Sequence, residues 1–201
     1  MQEHNKASAW FEDLYKEHED AHHNIPWARR KVNPLLQSYI DDIEYCKGKA
    51  LVIGCGLGDD AYALDTAGYD VTAIDVSQTA LDIAQKRFEY STITFEKQDI
   101  FDMPEKYYHY FDFVFEALTI QSLPPEFREK MIKAVADTVA ENGQLLLIAH
   151  KKENGIDGPP WPLEEEEVAL FKSHGLKELE FELHSEDSKI SNQKFRVLYK
   201  R

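Results

Sequence analysis

Short apolar runs alternate with longer amphipathic stretches along most of this chain. Residues 50–53, Ala-Leu-Val-Ile, are too few for a helix and rich in branched side chains, which predicts a fully buried strand. Residues 71–74, 93–95, 111–116 and 144–149 repeat that signature and predict four more. Residues 176–183 and 194–199 alternate apolar and polar, and read as two strands joined by a polar turn, the last of them antiparallel. Helical stretches fill the gaps. Residues 59–67 end at Gly68; Ser77 is a good N-cap for a helix over 78–90 with Ala80, Leu81, Ala84 and Phe88 on one face. Pro124-Pro125 opens a helix to about Ala140, and Asn142-Gly143 makes a turn after it. The acids at 164–167 suit the first turn of a helix that closes at His174-Gly175. Ahead of the first strand, Trp10, Phe11, Leu14 and Tyr15 form one apolar stripe on a polar helix within residues 1–24. A second helix is expected from Pro26-Trp27 to about Tyr45, broken near Asn33 by Pro34. Strands separated by helices predict an α/β domain built on an open, mostly parallel sheet.

The densest candidate chemistry follows the first strand. Gly54-Cys55-Gly56-Leu57-Gly58 places three glycines at alternate positions, a loop that turns sharply and lets a ligand approach its backbone. The next strand ends in Asp75. A strand, a glycine loop, a helix and a second strand ending in a carboxylate is how an open parallel sheet holds a nucleoside. The dinucleotide spacing G-x-G-x-x-G puts its third glycine where this chain has Asp59, with Asp60 beside it. Two carboxylates at that helix start favour a neutral or cationic ligand over a pyrophosphate.

The spacing G-x-G-x-G resembles the S-adenosylmethionine loop of the Rossmann-like class I methyltransferases. That resemblance implies a seven-stranded, mostly parallel sheet with helices on both faces, residues 47–201 as the methyltransferase domain and residues 1–46 as a helical cap. It also implies S-adenosylmethionine as cofactor and S-adenosylhomocysteine as product. Gly54, Cys55, Gly56 and Gly58 then hold the cofactor; Asp75 accepts from the ribose hydroxyls, next to Val76; Asp99 and the backbone of Ile100 meet the adenine. Glu116 and Ala117 leave the fourth strand at its carboxyl end, where open parallel sheets bind ligands. The Pro26-Trp27 and Asn33-Pro34-Leu35-Leu36 strings, with Gly158-Pro159-Pro160-Trp161 and its acids, are similar to the thiopurine-methyltransferase-like and tellurite-resistance-like subgroup. That subgroup methylates thiols, halides and related soft nucleophiles, and the likeness places Trp27 near the cofactor. Residues 151–161 form a loop long enough to act as a lid.

The acceptor is expected to be a small molecule. Net charge is −14, which repels a phosphate backbone, and Arg29-Arg30-Lys31 is flanked by acids. No Asn/Asp-Pro-Pro-Tyr/Phe follows the fourth strand, and no Pro-Cys nucleophile is present. A thiol or halide needs little activation; a hydroxyl or amine needs a general base, for which His150 is the better-placed candidate and His109 the lesser, while Glu116 is the catalytic candidate for orienting an amine. Holding the methionine ammonium is the favoured role for Glu116. His18-Glu19-Asp20-Ala21-His22 matches H-E-x-x-H, yet it lies in a very polar segment before Pro26 without a third ligand, so no metal is expected. Cys46 and Cys55 form no C-x-x-C. With no apolar run near a membrane span and no leader-like start, a cytoplasmic protein is expected, with no membrane or nucleic-acid partner. A nicotinamide-dependent oxidoreductase and a non-catalytic S-adenosylmethionine-binding protein are the competing readings; the sequence carries no signature of oligomeric state.

Overall fold

The computed structural model describes residues 3–18, 25, 30–43, 47–153, 158–185 and 193–201. The apolar runs become β1 (Lys49–Ile53), β2 (Asp70–Asp75), β3 (Thr94–Lys97), β4 (Phe111–Ala117), β5 (Val139–His150), β6 (Lys177–Ser185) and β7 (Gln193–Lys200). They form one seven-stranded sheet in the order β3-β2-β1-β4-β5-β7-β6. β2 runs parallel to β1 and β3, and β5 parallel to β4, while β7 is antiparallel to both of its neighbours. The helices are α1 (Glu3–Glu17), α2 (Pro34–Asp42), α3 (Asp59–Ala67), α4 (Gln78–Arg87), α5 (Arg128–Thr138) and α6 (Glu165–Ser173). The expected α/β class and the antiparallel last strand are both present. Among the described residues, no helix is long and apolar enough to cross a membrane.

The chain divides into two compact units, Met1–Asp99 and Ile100–Arg201. In the first, Ala50, Leu51, Val52 and Ile53 are all at most 3% exposed. A strand buried on both faces needs such a continuous apolar run rather than an alternating one. α3 closes at Gly68, whose left-handed backbone (φ 112°) returns its N–H to Leu64 and Asp65. α4 begins as expected at Ser77, whose hydroxyl accepts from the Ala80 N–H at 3.0 Å. The second helix differs from expectation. It starts at Pro34, with the Asn33 side chain accepting from the Leu35 N–H at 3.0 Å. Proline is therefore the first helical residue, not a kink, because its missing N–H is one that a helix start leaves unpaired anyway. Pro26 and Trp27 lie outside the described residues.

In the second unit, Phe111, Phe113, Val114 and Phe115 of β4 and Leu145, Leu146, Leu147 and Ile148 of the adjacent β5 are all at most 1% exposed. Burial of such side chains contributes about 1.5–3 kcal/mol each. β5 begins earlier than the apolar run suggests. Phe111 pairs with Val139 and Phe113 with Gln144, so residues 140–143 form an excursion within the strand, with Asn142 at φ 67°. The expected Asn-Gly turn exists, but inside the ladder. α6 opens with a capping box between Glu164 and Glu167.

Candidate functional site

The glycine loop leaves β1 within the first unit. The Cys55 N–H donates to the Ile74 carbonyl at 2.9 Å, and the Gly58 N–H to the Cys55 carbonyl at 2.9 Å. The loop is thereby tied to β2 and folded on itself. Two glycines are required for different reasons. Gly56 has φ 51°, and a side chain there would meet the Tyr15 hydroxyl at 2.9 Å. Gly58 has φ 84°, and its α-carbon is faced by Ala84, Phe88 and Phe95, so its missing side chain admits the protein's own core. Burial, reinforced by the Asp75 carboxylate, pushes the Cys55 thiol well up, so it stays protonated.

Asp75 ends β2 and is 8% exposed. Its Oδ2 accepts the Gly56 N–H at 2.9 Å and its Oδ1 the Ser77 N–H at 2.9 Å. With the Val76 N–H as a third donor, the carboxylate still keeps acceptor capacity. Burial raises the Asp75 pKa against the hydrogen bonds from Ser77, Gly56 and Val76. The two acids at the start of α3 are committed elsewhere, which corrects the charge argument made from them. Asp59 takes a two-pronged bond from Arg87 at 2.7 and 2.8 Å. Asp60 accepts the Asn33 N–H at 2.6 Å. Asp59 is thus a neutralised partner of α4 rather than a bare charge at a helix start. Asp99 is half-buried just past β3 in this same unit.

In the second unit, Glu116 lies in β4 and is fully buried. Leu118 adopts φ 66°, costly for a branched side chain, and the turn that follows aims two N–H groups back at the strand. Glu116 Oε1 accepts both, from Thr119 at 2.7 Å and Ile120 at 2.8 Å. Glu116 Oε2 is buried and has no hydrogen-bond partner among the described residues. Burial drives the carboxyl up to about 7, against those two bonds and the Arg128 charge. Arg128, 4% exposed, donates to the Ile120 carbonyl at 3.0 Å, the Trp161 carbonyl at 2.9 Å and the Glu167 carboxylate at 3.2 Å. Gln121 adds a second tie, accepting the His150 N–H on its side chain and the Trp161 N–H on its carbonyl, both at 2.7 Å. The turn after β4, the end of β5 and the Pro-Pro-Trp stretch are therefore one hydrogen-bonded assembly.

The expected residues fall accordingly. Gly54, Cys55, Gly56, Gly58, Asp75, Val76 and Asp99 belong to the first unit. Ile100, which opens a short 3-10 turn, Glu116, Ala117 and His150 belong to the second. His150 is the last residue of β5 rather than a loop residue. Trp27 and residues 154–157 of the expected lid lie outside the described residues, as do the last four residues of the H-E-x-x-H string. His18, its first residue, places Nδ1 3.0 Å from the Leu14 carbonyl. Leu118 and Gln121 fall within residues 116–121, which the carboxyl end of the fourth strand marks out as the expected floor of the site. Arg128 carries no such signal beyond its place at the start of the helix that follows.

A family model described as thiopurine S-methyltransferase matches residues 16–198. Thiocyanate methyltransferase 1 of Brassica oleracea is 28% identical over 140 residues, 68% of this chain and 61% of the relative. A thiopurine S-methyltransferase of Psychrobacter cryohalolentis is 25% identical over 181 residues, 78% of this chain and 83% of the relative. The chain spans 61–62% of the length of the plant thiocyanate and thiol methyltransferases that it matches. The solved structure of the N-methyltransferase NodS from Bradyrhizobium japonicum WM9, in complex with S-adenosylhomocysteine, has a TM-score of 0.73. It covers 93% of this chain and 97% of that one at 18% identity, a likeness of fold.

Proposed function

The chain belongs to the thiopurine S-methyltransferase family, and from that premise we propose that it transfers the methyl group of S-adenosylmethionine to a small molecule bearing a soft nucleophile, a thiol or a thiocyanate-like anion. One observation carries the cofactor assignment. The Gly56 N–H is bonded to the carboxylate that ends the next strand, at 2.9 Å, so the bend and the acid form one preorganised cradle. A nucleotide-dependent oxidoreductase is not favoured by the family or by the curated relatives. The assignment of residues 47–201 to the methyltransferase domain and 1–46 to its cap belongs to the same proposal.

The residues fit such a cofactor. Asp75 keeps acceptor capacity for a ribose hydroxyl, because a carboxylate offers about four lone-pair sites and the N–H groups of Gly56, Ser77 and Val76 take three. Glu116 Oε2 is a buried acceptor without a donor. Leaving it so costs about 1–3 kcal/mol, which an ammonium or N–H group would relieve. When bound, S-adenosylmethionine supplies an electrophilic sulfonium methyl. The protein's work is then to hold the reactants in line and keep water out. The Arg128 fork and Gln121 fix the Pro-Pro-Trp stretch for that purpose. A thiol is sufficiently ionised near neutral pH to need no strong base. For acceptors that do need one, His150 at the end of β5 is the proposed base.

The test is transfer of labelled methyl from S-adenosylmethionine to a panel of thiols, thiocyanate, halides, amines and phenols. Calorimetric titration with S-adenosylhomocysteine and with NAD runs beside it. Turnover with sulfur acceptors and binding of S-adenosylhomocysteine alone support the proposal. Binding of NAD without S-adenosylhomocysteine would refute it, and cofactor binding with no acceptor turned over would leave a non-catalytic binding protein.

A further inference from the structure

Helix α1 is joined to the cradle by one side chain whose role nothing above assigns. Glu12 accepts from the Ser77 hydroxyl at 2.7 Å, the Thr79 hydroxyl at 2.9 Å and the Thr79 N–H at 3.3 Å, and pairs with Lys16 at 3.2 Å. Thr79 lies in the first turn of α4, where backbone N–H groups have no partner within the helix. The Ser77 hydroxyl already satisfies Ala80, so Glu12 supplies a second cap from 65 or more residues away. Burial alone raises this carboxyl, but the bonds from Ser77 and Thr79 and the Lys16 charge together carry it down to about 2, so it is ionised at any ordinary pH.

Three residues on, and therefore on the same face of α1, stands Tyr15. It is 3% exposed and packs with Leu57, Ala80 and Ile83. Its hydroxyl lies over the α-carbon of Gly56, 2.9 Å from where a side chain would begin. Two of the peptide groups that orient the Asp75 carboxylate are those of Gly56 and Ser77, each at 2.9 Å. One face of α1 thus reaches both residues, Gly56 through the Tyr15 hydroxyl over its α-carbon and Ser77 through the bond from its side-chain hydroxyl to Glu12.

We infer that Glu12 is a positioning residue for the cofactor: with Tyr15 one turn on, it clasps α1 across Gly56 and Ser77, two of the residues whose N–H groups aim Asp75, and so sets the affinity of the nucleoside site. This rests on the cofactor reading proposed above. Without the Glu12 carboxylate, α1 loses its polar anchor on α4, and Ser77, one of the donors to Asp75, loses the bond that fixes its side chain. Glu12→Gln keeps an acceptor oxygen for Ser77 or Thr79, whereas Glu12→Ala keeps none.

The experiment is calorimetric titration of the full chain with S-adenosylhomocysteine, with thermal melts of each variant without ligand. Glu12→Ala is expected to raise Kd at least tenfold, and Glu12→Gln to recover most of that loss. Thr79→Val removes only the hydroxyl and is expected to raise Kd by about threefold. Added to Glu12→Ala it adds nothing further, since the two act as one unit. A purely structural Glu12 would lower the melting temperature and leave Kd alone; an unchanged Kd in Glu12→Ala or fully additive losses overturn the inference. No binding by the unaltered protein overturns the cofactor reading, and the clasp with it.

Discussion

Replacing Glu116 by glutamine should make the protein more stable and a worse cofactor binder at once. The carboxyl is fully buried and titrates at about 7, against 4.5 for the same group in water. Between those values the folded protein holds a proton that the unfolded chain has released. Stability contributed by this site is therefore complete below pH 4.5 and drains away as pH rises toward 7. At about 1.4 kcal/mol per pH unit, the whole window amounts to about 3 kcal/mol, a sizeable part of the ~5–15 kcal/mol that holds a domain together. Glutamine keeps an oxygen for the Thr119 and Ile120 N–H groups but has no charge to bury. Urea unfolding of both proteins from pH 5 to pH 8 isolates the site, because every other titrating group cancels in the difference. Glu116→Gln should gain about 2–3 kcal/mol on the unaltered protein over that range. Its affinity for S-adenosylhomocysteine should fall at least tenfold at pH 8, about 1.4 kcal/mol, if Oε2 receives the ammonium. Parallel stability curves would refute the burial argument; an unchanged affinity would refute the ammonium argument and leave the other standing.

Two further sites give sharp outcomes. Gly56→Val forces a branched residue into φ 51° and against the Tyr15 hydroxyl, and Asp75→Ala removes the carboxylate from the cradle; calorimetry should show each weakening S-adenosylhomocysteine binding tenfold or more. Arg128→Met leaves the Ile120 and Trp161 carbonyls and the Glu167 carboxylate without their shared donor. Urea unfolding should register a loss of about 3 kcal/mol, the low end for breaking a buried pair, because Glu167 is 25% exposed on its side chain.

What the sequence reveals and what it hides divide along the range of the interaction. Runs such as residues 50–53 and 144–149 declare buried strands because two-sided burial leaves no polar positions to confuse the pattern. The alternation in residues 194–199 gave the last strand, though not its near-total burial, for Lys194 and Arg196 are only 4% and 5% exposed. Where one residue type serves two local signals, the choice goes astray. Pro34 after Asn33 is both a break and a start, and the Asn33 cap decides for the start. The Asn142-Gly143 turn was read as the end of a connection, yet a parallel ladder absorbs it because Val139 still pairs with Phe111.

The site is divided in the same way. Gly56 and Asp75 are 19 residues apart, within one βαβ repeat, so the spacing of glycines and acid was enough to single out two groups that the fold bonds to each other. The ion pair of Asp59 was hidden for the opposite reason, since its partner Arg87 lies 28 residues on, across a strand and a turn. Arg128 looks like any charge at the start of a polar helix; only the fold shows three acceptors converging on it. The run of glutamates at 164–167 likewise needed no function as a helix start, and it has a capping box, but Glu167 also faces Arg128. Residues that bind a ligand through their own backbone or carboxylate leave a local mark in the sequence. Residues that hold those groups in place act at any separation, as Glu12 does on Ser77, and periodicity carries no trace of them. It follows that a chain with the same glycine spacing but no acid at position 12 would read as the same kind of binder and bind less tightly, which is a difference that sequence motifs alone would miss.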